Sequence, residues 1–301
     1  ELLLTVGAST GGGGQTADDV VGEIANDVLM RCPKPWNEAK IMEKYPTLYE
    51  ESMNTVLAQE VGRFNVLIKC IQASLKDMQK AIKGLLLMSP ELETSFFEIY
   101  DGRTPGMWIK NSYPSLKPLG GYVNDLIERL KFFQTWIDNG SPVNYWFSGI
   151  YFTQAFTTGA SQNFARKYQI PIDTLGFDFM YPREQEPKVK PNDGVFAYGI
   201  FFEACKWDWD EWIIAESDPK VLYVAVPLIH FVPCVLTEYR EFKHYMCPCY
   251  KVSTRKGILS TTGHSTNFVM SIKIPSEKPE VADMEAHWVK RGVAMLTSLD
   301  T

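Results

Sequence analysis

The sequence predicts an α+β chain, with a layer of long helices followed by a small antiparallel β-barrel. Three observations carry this. Apolar residues recur with helical spacing over the first half, up to about residue 170. Beyond Pro171 the period drops towards two, in short runs rich in Val, Ile, Phe and Tyr. Helices followed by strands, without alternation, argue against a doubly wound sheet. The expected organisation is a Gly-rich linker over 1–16, a helical part over 17–170 and a β-barrel part over 171–301.

Gly11–Gly14 lose much conformational entropy on ordering, so the opening segment reads as flexible. It is also the one place that invites a phosphate loop. Such a loop ends in Gly-Lys-Ser/Thr, because Lys reaches the phosphates and the hydroxyl holds magnesium. Gln15 precedes Thr16 here, so no ATP site is assigned. Thr16 or Asp18 caps a helix running through Met30, and Pro33 and Pro35 end it. Asn37 caps a short helix to about Lys44, stopped by Pro46.

The most informative helix begins near Glu50–Ser52. From Leu57 through Val61, Phe64, Ile68, Ile71, Leu75, Met78, Ile82 and Leu85, apolar residues alternate steps of four and three. This heptad seam gives a helix of roughly 50 Å. It is either one strand of a coiled coil or the spine of a helical layer. Phe64, Leu67 and Leu86 widen the stripe and favour the layer. Ser89-Pro90 restarts a helix that continues through Thr94–Tyr100. Asp101–Pro118 reads as a structured loop, and Leu119–Asp138 as an amphipathic helix ended by Asn139-Gly140. Ser148–Lys167 reads as a further helix. Strands are expected at Leu175–Met180, Val195–Phe202, Val221–Val226, Leu228–Val232, Tyr245–Val252, Asn267–Ile274 and Val289–Leu296. That many in about 130 residues suggests a closed or nearly closed barrel.

Hydrophobic residues make up 45%, aromatics 13% and charged residues 22% of 301, with net charge -6. This supports a sizeable core. Lys and Arg are dispersed among acids, so neither nucleic acid nor an anionic membrane is an expected partner. No apolar run is long enough to span a bilayer. The six cysteines are irregularly spaced and read as reduced thiols of a cytosolic compartment. A sequence beginning at Glu1 reads as a fragment of something longer.

Several groupings have the residue types of a chemical site. His244, Cys247 and Cys249, with Cys234 nearby, have metal-ligand chemistry, but Cys-Pro-Cys is not the zinc-knuckle spacing. Two small thiols on one strand face are the simpler reading. Ser260–Thr266 surrounds His264 with hydroxyls but lacks a nucleophile elbow, and reads as a polar turn. Asp208, Asp210 and Glu211 among Trp207, Trp209 and Trp212 have the composition of a glycoside site without an identifiable acid pair. They read as an exposed loop or hairpin. His230 and His287 are isolated and read as packed. No catalytic, cofactor-binding or metal residues are therefore assigned.

The residues also resemble a known family. Lys44-Tyr-Pro-Thr-Leu-Tyr-Glu-Glu-Ser-Met-Asn-Thr-Val-Leu57 is similar to the C-terminal region of dynein heavy chains, as are Arg63-Phe-Asn65 and Gln79-Lys-Ala-Ile-Lys-Gly-Leu85. Ser112–Leu119, Tyr122–Trp136 and Tyr151–Lys167 continue the resemblance. So do Gly257–Val269 and the terminal His287-Trp-Val-Lys-Arg-Gly-Val-Ala-Met-Leu296. These words run collinearly over Asp18–Thr301 and look more axonemal than cytoplasmic. The departures are the glycine tract and Cys234–His244, which looks like a variable loop.

The resemblance implies a non-enzymatic structural and regulatory domain of a microtubule motor in ciliary or flagellar axonemes. The parent would be an ATP-driven, minus-end-directed motor whose six AAA+ modules form a ring. ATP and Mg would belong to those modules, and microtubule binding to the stalk. Implied partners are the ring modules of the same heavy chain, and possible ones are accessory chains. Docking of the long heptad helix on the ring is one expectation. An independent module, whose barrel binds an accessory chain or a neighbouring dynein, is the alternative.

Overall fold

The structure, a computed structural model, describes residues 15–235, 244–255, 265–276 and 283–300. The described residues form two compact units. One comprises the described part of Glu1–Pro46 together with Leu57–Asp138 and Asp300. The other comprises Thr47–Val56 and the described part of Asn139–Leu299.

The first unit is helical. Helix α1 (Ala17–Arg31) opens on a capping box, in which Thr16 Oγ1 accepts from Asp19 N–H and the Asp19 carboxylate accepts from Thr16 N–H. Helix α2 (Glu38–Lys44) is capped by Asn37. Helix α3 (Ser52–Ile82) is the expected long element, about 46 Å at 1.5 Å per residue. Its seam is covered from within the protein: Leu57, Phe64, Ile68, Leu75 and Met78 are all 0% exposed. The buried seam is thus the spine of a helical layer, the reading that the widened stripe favoured over a coiled coil. The seam is also shorter than expected. The helix ends at Ile82, and Leu85 and Leu86 stand 76% and 41% exposed.

Helices α4 (Pro90–Tyr100), α5 (Gly106–Ile109) and α6 (Leu119–Asn139) complete this unit. The short α5 lies inside the stretch read as loop. It inserts Trp108, 1% exposed, whose Nε1–H donates to Ser74 Oγ at 2.9 Å. The aromatic core continues through Phe64 and Phe133, with centroids 5.3 Å apart, and Tyr113 stacked on Tyr122 at 5.7 Å. Arg129 is 3% exposed; its Nε–H donates to Asp125 at 2.7 Å and its guanidinium lies 3.8 Å from the Tyr113 ring centre. A buried charge is tolerable because it is paired and stacked. Lys44 Nζ donates to the carbonyls of Ile137 and Asp138. It thereby caps the C-terminal end of α6, where a cation is favoured.

The second unit contains α7 (Thr153–Tyr168), α8 (Met284–Lys290) and eleven described strands. These are β1 (Asn144–Trp146), β2 (Leu175–Met180), β3 (Val195–Tyr198), β4 (Phe201–Glu203), β5 (Cys205–Asp208) and β6 (Ile213–Glu216), then β7 (Tyr223–Ala225), β8 (Ile229–Val235), β9 (His244–Tyr250), β10 (Phe268–Pro275) and β11 (Ala294–Leu296). They form sheets of order β1-β3-β8-β2 and β10-β9-β11-β4-β7, plus the hairpin β5-β6. The expected closed antiparallel barrel is not found among the described residues. The strands divide between open sheets, and β1–β3 and β11–β9 pair in parallel.

The backbone passes from the first sheet to the second at Gly199, which splits the strand expected over Val195–Phe202. Its φ is +88°, and a Cβ there would lie 2.4 Å from the Trp146 ring. Only glycine fits both the angle and the space. Val289–Leu296, expected as one strand, instead ends α8 and forms β11. Asp283 accepts from Ala286 N–H at 2.9 Å and so starts a helix. Strand β1 lies within the part expected to be wholly helical.

Candidate functional site

Strand β9 has the alternation of a sheet with one buried face. Tyr245, Cys247 and Cys249 are 2%, 0% and 0% exposed, whereas Met246 is 44% exposed. Cys247 and Cys249 share one face, and His244, at odd offset from both, belongs to the other. Burial pushes both thiols up, away from the thiolate that a metal or nucleophilic role requires. Cys234 lies on β8, opposite Gly176 of β2. Among the described residues no group of three or more His, Cys, Asp or Glu side chains could hold a metal ion.

The tryptophan and acid cluster is the β5–β6 hairpin. Asp208 Oδ1 accepts the N–H groups of Asp210 and Glu211, each at 3.0 Å, so this carboxylate shapes the turn. Trp207 is 3% exposed and stacks on Tyr181 at 4.9 Å. Trp212 Nε1–H donates to Tyr181 O at 2.8 Å, and the Arg183 guanidinium covers its ring at 4.9 Å. Trp209 alone of the three is strongly exposed, at 51%. The segment is thus the hairpin that the sequence offered as one of two readings, with Trp209 on its exposed turn and Trp207 in its packed base.

His230 Nε2 lies 2.7 Å from Asp193 O and its ring packs on Phe196. His287 is not isolated, as the sequence suggested. Its Nε2 meets Glu216 Oε1 at 2.8 Å, and Arg291 Nε–H donates to Glu216 Oε2 at 2.8 Å. Burial raises the Glu216 carboxyl, but the bonds from Arg291 and His287 outweigh it and hold the group below its ordinary value. The trio fastens α8 to β6. Its signal in the sequence is the i, i+4 spacing of His287 and Arg291 on a helix. That signal is lost when the segment is read as a strand. Gly11–Gly14 and Ser260–His264 lie outside the described residues.

The second unit also holds an open groove of about 720 Å³ where β3 leaves one sheet and β4 enters the next, lined by Asn144, Pro187, Tyr198, Phe201 and Leu228 among others. Its two amide side chains each bond to backbone, while Asn144 Oδ1 is buried without a hydrogen-bond partner among the described residues. Asn144 Nδ2–H donates to Pro187 O at 3.2 Å, and Gln185 Oε1 accepts from Leu228 N–H at 2.7 Å. Asn144 Nδ2–H, Gln185, Asp208, His230 and Glu216 thus each bond to the protein's own backbone or side chains.

Comparison with known proteins gives the context for this arrangement. The family model for the C-terminal domain of the dynein heavy chain matches residues 2–297. Dynein axonemal heavy chain 3 of Mus musculus is 51% identical over 300 residues, a stretch that is 99% of this chain and 7% of that protein. Its Homo sapiens counterpart is 50% identical, with the same coverage. Dynein axonemal heavy chain 12 of Mus musculus is 47% identical over 301 residues, a stretch that is 99% of this chain and 10% of the relative. The 301 residues thus span about a tenth or less of the length of these curated relatives. The protein belongs to the family of C-terminal domains of dynein heavy chains.

Proposed function

We propose that these 301 residues are the C-terminal structural and regulatory domain of an axonemal dynein heavy chain, and that the domain packs on the AAA+ ring and modulates motor output. Chemistry stays with the ring, where ATP and Mg are bound; this domain hydrolyses nothing. The observation that carries the reading is the family match over residues 2–297, reinforced by identity near one half, along 99% of the sequence, to axonemal heavy chains. The geometry supports it: Arg129, Asp208, His230 and Glu216 are each engaged in holding the protein's own elements together. A body that stiffens or biases a ring acts through differential contacts with two ring arrangements, not through a reaction of its own. It belongs, on this reading, to the ciliary or flagellar axoneme.

Steady-state ATPase of the intact heavy chain, measured beside one lacking residues 18–301, tests this. A changed rate, with the 301-residue domain inert by itself, supports the proposal. Turnover by the isolated domain overturns it. A second reading, an interaction module for an accessory chain or neighbouring dynein, draws on the exposed Trp209 and on Leu222, which is 71% exposed. Retention of an accessory chain by the intact motor, and its loss with Trp209→Ala, would favour that reading.

A further inference from the structure

The turn between α3 and α4 carries the longest consecutive run of large exposed hydrophobic side chains among the described residues. Leu85, Leu86 and Leu87 are 76%, 41% and 93% exposed. The turn is fixed at both ends. Gly84 sits at φ +71°. Leu85 N–H donates to Lys80 O, and Gly84 N–H to Ala81 O, both at 2.9 Å, which is the paired-bond pattern of a Schellman stop. At the far end Ser89 Oγ accepts from Leu92 N–H at 3.3 Å and Pro90 opens α4.

In such a stop the residue at the position of Leu85 ordinarily packs back on the last helical turn. Here it stays in solvent. Three leucines held outward on a capped turn form a preformed apolar projection, and exposed apolar surface of this kind marks an interaction site. Because the backbone is already ordered, a partner bears little of the ordering cost.

We propose that Leu85–Leu87 seat this domain in an apolar socket on the remainder of the heavy chain. The proposal rests on the function proposed above and names the surface through which it acts. Two observations specify the occupant. Relatives covered over only 7% and 10% of their length leave most of the polypeptide outside the matched stretch. On the α3 side of the turn Lys76 and Lys83 face solvent and Lys80 pairs with Asp77 at 3.1 Å, while Glu91 and Glu93 face solvent on the α4 side, so the complementary socket has an apolar floor, with acidic groups opposite α3 and basic groups opposite α4.

The test uses the complete heavy chain. A benzophenone-bearing amino acid replaces Leu87, whose 93% exposure leaves the fold untouched. The same probe at Phe97, 53% exposed, and at Lys188, with an 80% exposed side chain, serves as comparison. An equal mixture of isotopically heavy and light molecules separates links within one molecule from links between copies. The expected result is linkage from position 87 to peptides of the same molecule outside these 301 residues. With the probe moved to Leu86, Leu87→Asp should reduce that yield roughly tenfold or more, as a carboxylate entering an apolar socket requires.

Links to the heavy chain from Phe97 or Lys188, but none from position 87, overturn this surface while leaving the domain on the motor. No links to the rest of the heavy chain from any of the three positions overturn the underlying reading as well. Links between heavy and light copies, or only to an accessory chain, identify a different occupant and overturn the proposal.

Discussion

Replacing Phe64 by Ala, with Val66→Ala as its companion, separates a seam buried in its own unit from one held in reserve for a partner. The two positions lie two residues apart on α3, on opposite sides of the helix. Phe64 is 0% exposed, with ring centroids of Phe133 and Tyr113 at 5.3 and 6.2 Å. Val66 is 54% exposed. Truncating a fully buried Phe costs about 3–5 kcal/mol through lost transfer energy and the cavity left behind. Val66→Ala removes half-solvated surface and improves helix propensity, so its effect falls within about 0.5 kcal/mol of zero. With a slope of about 2–3 kcal/mol per M urea, the Phe64→Ala midpoint drops by roughly 1–2.5 M. Far-ultraviolet circular dichroism in a urea titration of the 301-residue protein reads this, because it follows the helices. Equal, small losses at both positions would refute the packing and return the seam to a partner.

Gly199→Ala forces a Cβ against the Trp146 ring at a positive φ, and costs more than ~1 kcal/mol, read as a lower melting temperature. The Glu216 clasp sets an acid limb. Its folded pKa lies below the ordinary value of 4.5, so its stabilisation is complete above that value and is lost as pH falls through the lowered pKa. Glu216→Gln should remove that part of the acid dependence, measured by thermal melts between neutral and acid pH. Alkylation at about pH 8, close to an ordinary thiol pKa, should label half-buried Cys70 and Cys234 first. Cys32, whose thiol burial pushes up to about 11, should follow them, and Cys247 and Cys249 should react only on unfolding. Mass spectrometry of timed digests gives the order.

The helices are legible because their ends are written in local chemistry. Thr16, Asn37 and Ser89 each cap the helix that the pattern places behind them, and the seam spacing of α3 survives in the burial of Phe64, Ile68 and Leu75. What local pattern does not carry is pairing. Nothing near β1 indicates that Tyr145 will align with Ala197 of β3, or near β11 that Met295 will sit between Phe202 and Cys249. These partners are distant in sequence, so a strand count suggests closure where the sheets stay open. The β5–β6 hairpin is ambiguous for a different reason. Asp208 and three tryptophans satisfy both an exposed loop and a hairpin, and only the Tyr181 contacts decide which indoles turn inward. The exposed leucines are hidden by their own hydrophobicity, since Leu85 falls in phase with the seam it follows.

The most direct test of the regulatory account is microtubule gliding by the intact heavy chain beside one lacking residues 18–301, with size-exclusion chromatography showing that the remaining ring is still folded. The account predicts that velocity or stall behaviour changes while the ring stays intact. Identical gliding with and without the domain would contradict it.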